Sequence, residues 1–149
     1  MFRNQEVGKT YWAIVQNRPE EPEGRLEHYL IRNEKQNKSY AYETEKPKSK
    51  KATLTYKLKA SSDRYHLLEV RLETGRHHQI RCQLAAIGCS IKGDLKYGAP
   101  RSNPNGGISL HARTVEFIHP VSQEKIYIEA PVPDEDNLWK SFEKMRSDV

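Results

Sequence analysis

The sequence predicts an α+β fold, several antiparallel strands with few helices rather than a doubly wound sheet. Two stretches carry that reading. Ala52, Leu54, Tyr56 and Leu58 alternate with Thr53, Thr55, Lys57 and Lys59, and His66, Leu68, Val70 and Leu72 do the same in the next run. That is the period of half-buried strands. After Thr74 the spacing changes, with Ile80, Leu84 and Ile87 at i, i+4 and i+7, one face of a helix.

The remaining elements follow in order. Tyr11 to Val15 is apolar, aromatic and β-branched, a buried strand. Arg18 to Gly24 is an acidic loop broken by Pro19 and Pro22. Leu26 to Arg32 reads as a strand, Ser39 to Thr44 as a weaker one, and Lys46 to Lys51 as a basic loop. Thr74 is the expected N-cap of the helix, with Gly75 allowing close backbone approach and Gly88 as the stop. Tyr97 to Gly107, rich in Gly, Pro, Asn and Ser, is a long loop. Val115 and Phe117 mark a strand ending at His119-Pro120, with Ile126 to Ile128 as its hairpin partner. Pro131-Val132-Pro133 breaks the sheet, and Asp134 opens a terminal helix with an apolar stripe of Leu138, Phe142 and Met145. The 149 residues form one domain, with no internal repeat.

Charge and hydropathy narrow the function classes. The 25 Lys and Arg against 20 Asp and Glu leave +5, which favours an anionic partner. No apolar run is long enough to span a membrane, and the first residues lack a secretory h-region, so a cytoplasmic protein is expected. Cys82 and Cys89, near His77 and His78, would have to be the core of any metal site. Their spacing fits no common zinc pattern, so buried thiols and no metal are expected, and a metal-dependent hydrolase ranks last.

The chemistry concentrates in Thr74-Gly75-Arg76-His77-His78-Gln79-Ile80-Arg81. A helix start offers free N–H groups to an anion, and Arg76 and Arg81 must either face water or pair with one. Four other blocks accompany it: Lys9-Thr10-Tyr11-Trp12-Ala13, Gly93-Asp94-Leu95-Lys96-Tyr97-Gly98, Leu110-His111-Ala112 and His119-Pro120. Five blocks in this order, at these separations, resemble the RNA pseudouridine synthases of the RluA type. The stretch from Arg18 to Lys51 carries least of the resemblance.

That resemblance implies a mixed, mainly antiparallel sheet and isomerisation of uridine to pseudouridine in structured ribosomal or transfer RNA. No cofactor or metal is implied. In the family an aspartate attacks C1′ while the C1′–N1 bond breaks, and the base turns and rejoins through C5. Arg81 matches the arginine that pairs with that aspartate and fills the space the base vacates. Tyr11 matches the tyrosine that stacks on the uracil and takes part in proton transfer. Arg76, His78 and Gln79 match the rest of the block, as site support or RNA contact, and His77 departs from the usual Thr or Ser. Lys92 and Lys96, flanking the Gly93-Asp94 turn, are candidate phosphate contacts. His111 and His119 read as structural.

The family's H-R-L-D-like segment has no counterpart, because only eight residues precede Lys9. Asp63 and Asp94 read as turn residues. The expectation is therefore a partial catalytic domain over 1–149, inactive alone. It should carry a truncated sheet edge beside Tyr11 through which it self-associates, and an Arg81 that stability does not need. A non-catalytic RNA-binding protein is the alternative.

Overall fold

Alternation and hydrogen bonding together decide where the sheet lies. The computed structural model describes residues 6–118, 122, 125–133 and 137–147. It contains β1 (Glu6–Val15), β2 (Glu23–Asn33), β3 (Lys38–Tyr42), β4 (Lys50–Ser61) and β5 (His66–Leu72). α1 (Gln79–Ala86), a short 3-10 turn (Leu95–Tyr97), β6 (Leu110–Ile118), β7 (Lys125–Glu129) and α2 (Asn137–Ser147) follow. His119-Pro120, Asp134 and the Met145 side chain fall outside the described residues.

The seven strands form one sheet in the order β3-β2-β4-β5-β1-β6-β7. Every pairing between described strands is antiparallel. The expectation of an open edge beside Tyr11 is overturned by this order. Tyr11 faces Val70 of β5 on one side and Ala112 of β6 on the other. The physical reason is in β1 itself, where Trp12, Ala13, Ile14 and Val15 are all buried. A strand apolar on both faces belongs in the interior of a sheet. The edges among the described residues are β3 and β7.

The two faces of the sheet bury different cores. Ala13, Val15, Leu54, Tyr56, Leu68 and Val70 pack under Ile80 and Leu84 of α1, with Tyr11 and Ile87 partly buried against them. Trp12, Ile14 and Leu67 pack on the opposite face with Val132, Trp139 and Phe142, under α2. Neighbouring residues of β1 thus serve opposite layers, as strand geometry requires.

The expected helix stop is where it was placed. Gly88 has φ +82, and the next amide, Cys89 N–H, donates to Leu84 O at 2.9 Å. The expected start is not. Thr74 does not cap α1; the N-cap is His78, in the left-handed region at φ 53, ψ 28. Gln79 explains the displacement. Its Oε1 accepts from Thr74 Oγ1 and Arg76 N–H, each at 2.9 Å, and its amide donates to Thr53 O and Gln83 Oε1. Residues 74–78 are drawn over a buried glutamine instead of winding into the first turn.

Candidate functional site

The residues just before and within α1 gather one cluster. Arg81 Nε and Nη2 each donate at 2.8 Å to the two carboxylate oxygens of Asp94. Asp94 is only 1% exposed, while the Arg81 side chain is 19% exposed. A bidentate pair onto a buried carboxylate fixes the guanidinium in direction as well as position. Its third nitrogen, Nη1, lies 3.0 Å from His78 Nε2, and the guanidinium stands 5.0 Å above the Tyr97 ring.

That geometry assigns the His78 tautomer. A guanidinium can only donate, so Nε2 accepts, and Nδ1–H donates to the Tyr97 hydroxyl 2.9 Å away. Ser39 N–H donates to the same hydroxyl at 2.8 Å, tying β3 to the cluster. Burial, followed by the positive charges of Arg81, His77 and Lys96, lowers the His78 pKa to about 4. The imidazole is therefore neutral at pH 7. His77 stacks on it with centroids 3.8 Å apart, and its pKa is also lowered, by burial and then by Arg32, Arg81 and Lys96.

Asp94 is held by its own turn. Gly93 has φ +88, and a Cβ there would meet the Asn103 side chain at 2.6 Å and Gly107 O at 2.8 Å. Only glycine fits, and the following carboxylate is delivered into the interior. Asp94 was expected as a turn residue, and its N–H does close a turn onto Ile91 O at 3.0 Å, but its carboxylate makes no turn bond and goes to Arg81 instead. Its further role as the counter-ion of Arg81 was not read from the sequence, because the two lie 13 positions apart. That pair also corrects the expectation that stability does not need Arg81.

The other candidates divide. Tyr11 lies on the α1 side of the sheet, packed against the cluster that includes Ile80 and Leu84. Among the described residues nothing hydrogen-bonds its hydroxyl. Arg76 is exposed, its Nε donating to Lys51 O at 2.8 Å. Gln79 is buried with all its polar groups engaged inside the protein, which is a supporting position. Lys96 joins the cluster, with Nζ donating to Gln36 O and Asn37 O in the β2–β3 turn. Lys92 stands apart, in a different pocket with Arg64 and Arg101, and donates to Asn103 Oδ1 at 2.7 Å. Tyr97 and Ser39 were missed as site-builders. Tyr97 stood in the Gly93 to Gly98 block and was within reach; Ser39 carried no signal.

The thiols do not combine with the histidines. Cys82 and Cys89 are buried and free, and burial raises the Cys82 pKa to about 11. Among the described residues no three His, Cys, Asp or Glu side chains converge as metal ligands.

Known proteins resemble this chain in sequence and in fold. The profile described as RNA pseudouridylate synthase matches residues 1–86. An uncharacterized RNA pseudouridine synthase of Chlorobaculum parvum is 32% identical, over 98% of this chain and 49% of its own length. Ribosomal large subunit pseudouridine synthase D of Xanthomonas campestris pv. campestris is 38% identical over 65% of this chain and 33% of its own. tRNA pseudouridine synthase C of Vibrio vulnificus is 31% identical over 95% and 63%. The chain spans about half the length, or less, of most curated relatives it matches. In fold it resembles human RNA pseudouridylate synthase domain containing 4, with a TM-score of 0.69 at 20% identity over 94% of this chain and 62% of that one. With the sequence profile covering more than half of its residues, the chain belongs to the RNA pseudouridylate synthase family.

Proposed function

We propose that this chain is the uridine-holding part of an RNA pseudouridine synthase that acts on ribosomal or transfer RNA in the cytoplasm. The observation that carries the reading is the placement of Arg81. Its guanidinium is fixed by a buried carboxylate and a neutral imidazole, on the helix that covers the sheet face bearing Tyr11. A target base must leave its stack to react, and the enzyme must supply a side chain to fill the gap and a ring to receive the base. Arg81 and Tyr11 take those parts here. Arg76, His77, His78 and Lys96 provide the positive surroundings, Lys92 a more distant phosphate contact, and Gln79 the support.

The nucleophile is proposed to come from outside these 149 residues. Asp94 is committed to Arg81 through both oxygens, Asp63 sits exposed in the loop between β4 and β5, and Asp134, Asp136 and Asp148 lie outside the described residues. That commitment also favours a second reading for the chain by itself, RNA binding without turnover. One experiment addresses both. The 149-residue protein is incubated with transcripts of ribosomal and transfer RNA, and pseudouridine is assayed chemically beside a version extended at its amino end with an H-R-L-D-bearing segment. Binding without conversion by the short chain and conversion by the extended one is the expected result. Conversion by the short chain would mean another nucleophile. Self-association is proposed through the β7 edge, where Ile128 is 51% exposed; sedimentation velocity across a concentration series measures it.

A further inference from the structure

A pocket of about 380 Å³ opens beside the lead-in to α1. Arg32 and Ser39 from the β2–β3 hairpin, Lys48 and Lys50 at the entry to β4, and Arg76 and His77 ahead of α1 all line it, and among the described residues no Asp or Glu does. Arg32 and Ser39 are cross-strand partners, and Ser39 Oγ donates to His77 O at 3.0 Å, so this wall lies on the α1 side of the sheet. The pocket therefore adjoins the Arg81 cluster.

Two further observations show that the charge is concentrated and uncompensated. Residues 29–51 hold seven Lys and Arg against three Glu, which leaves +4 of the chain's +5 in this one segment. The carboxylates that pair nearby are spent elsewhere, Glu27 on Arg25 and Lys51, Glu43 on His28, and Glu73 on Arg25. Arg32, Lys48 and Lys50 pair with no carboxylate among the described residues. The loop that presents two of them is also set in place. Ser49 N–H donates to Lys46 O at 3.0 Å, Ser49 Oγ accepts from Lys46 N–H, and Lys48 adopts φ +66.

Like charges held together with no counter-charge raise the energy of the free protein, and a phosphate placed among them lowers it. We infer that this pocket takes a phosphodiester of the RNA strand next to the target uridine, with Arg32, Lys48, Lys50 and Arg76 as its ligands. The inference rests on the proposed function, since a strand with its uridine at the Arg81 cluster runs past the adjoining wall. Its ligand is RNA backbone, and the base identity at that nucleotide is not read.

The test is fluorescence anisotropy with a labelled stem-loop RNA carrying unpaired uridines, over a salt series from about 50 to 200 mM. The triple variant Arg32→Gln/Lys48→Gln/Lys50→Gln is compared with a control of equal charge, Arg18→Gln/Lys57→Gln/Lys59→Gln. Arg32, Lys48 and Lys50 are exposed, and none of the control positions is buried, so both proteins should fold, with circular dichroism as the check. The pocket variant is expected to lose about tenfold in affinity at low salt. Its slope of log K against log salt should become shallower by about two, near 0.7 for each lost single-strand contact. The control should move less than threefold. Equal losses in the two variants overturn the pocket and leave the RNA reading standing. Absence of binding by the unaltered chain overturns both.

Discussion

Two arginines of this chain stand on opposite faces of the same sheet, and they are anchored in different ways. Arg81, on α1 itself, gives two hydrogen bonds to Asp94, a carboxylate that is 1% exposed. Arg113, under the α2 layer, is itself 3% exposed, but its partners Glu129 and Glu143 are 36% and 34% exposed. It also lies 4.6 Å above the Trp12 ring and donates to Ala130 O. On the α2 face the cation is buried and its counter-charges reach water. On the α1 face the counter-charge is buried and the cation reaches water. A fold that only needed a bridge would use the first arrangement; the second presents a fixed positive group outward.

The largest effect tests that asymmetry directly. Removing one partner of a buried pair strands the other, at a cost of about 3–5 kcal/mol. Arg81→Ala should approach that figure, because Asp94 has no route to solvent. Arg113→Met should lose less, about 1–3 kcal/mol, since Glu129 and Glu143 can turn outward and the methionine still covers Trp12. Urea denaturation of the two variants measures both. Equal losses, or a larger one for Arg113→Met, would break the comparison. It follows that Arg81→Ala alone is a poor probe of catalysis, and Arg81→Lys, which keeps a charge near Asp94 but loses the fork, separates the roles better.

The origin of this asymmetry also marks how far the sequence could be read. Period-2 alternation was sufficient for β4 and β5, and the Ile80, Leu84, Ile87 spacing for the apolar side of α1, because each is a local consequence of one buried face. Helix start and sheet order are not local. Thr74 has every property of an N-cap, yet the buried amide of Gln79 competes for its hydroxyl and wins, a contest with Thr53 and Gln83 as further parties. β1 was placed at an edge from what the family implied, while its four consecutive buried residues already argued for the interior. Arg81 and Tyr11 were found by block resemblance, which carries identity but not partners. The Asp94 pairing needed the chain folded.

The next effect lies on the α1 face alone. His78 has its pKa lowered from 6.5 to about 4 in the folded protein. Between those values the unfolded chain binds a proton that the folded chain refuses, so stability rises with pH. The contribution is complete above pH 6.5 and is lost as the pH falls toward 4. His78→Asn suits the left-handed backbone at this position and removes the titration. Its melting temperature, measured from pH 4 to 7, should fall less steeply with acid than that of the unaltered chain. The difference between the two curves is the observable, since carboxylates titrate equally in both. Parallel curves would mean that His78 is not held neutral by burial and by Arg81.

The smallest expected change in stability belongs to Tyr11→Phe, and the same substitution carries the sharpest statement about function. The Tyr11 ring is partly buried against the core on the α1 side of the sheet, so it must stay aromatic to keep that packing. Its hydroxyl bonds to nothing among the described residues. Phenylalanine should therefore fold as well as tyrosine, within about 0.5 kcal/mol, since no internal hydrogen bond is lost. A residue kept as tyrosine for the fold would employ its oxygen, as Tyr97 does with Ser39 and His78. Tyr97→Phe should cost about 1–3 kcal/mol by leaving those partners without an acceptor. In a chain extended with the proposed H-R-L-D-bearing segment, Tyr11→Phe should still bind RNA and lose most turnover, because the ring is kept and the proton is not. Turnover retained in that variant would return Tyr11 to the core, and the uridine would have to be held by another ring.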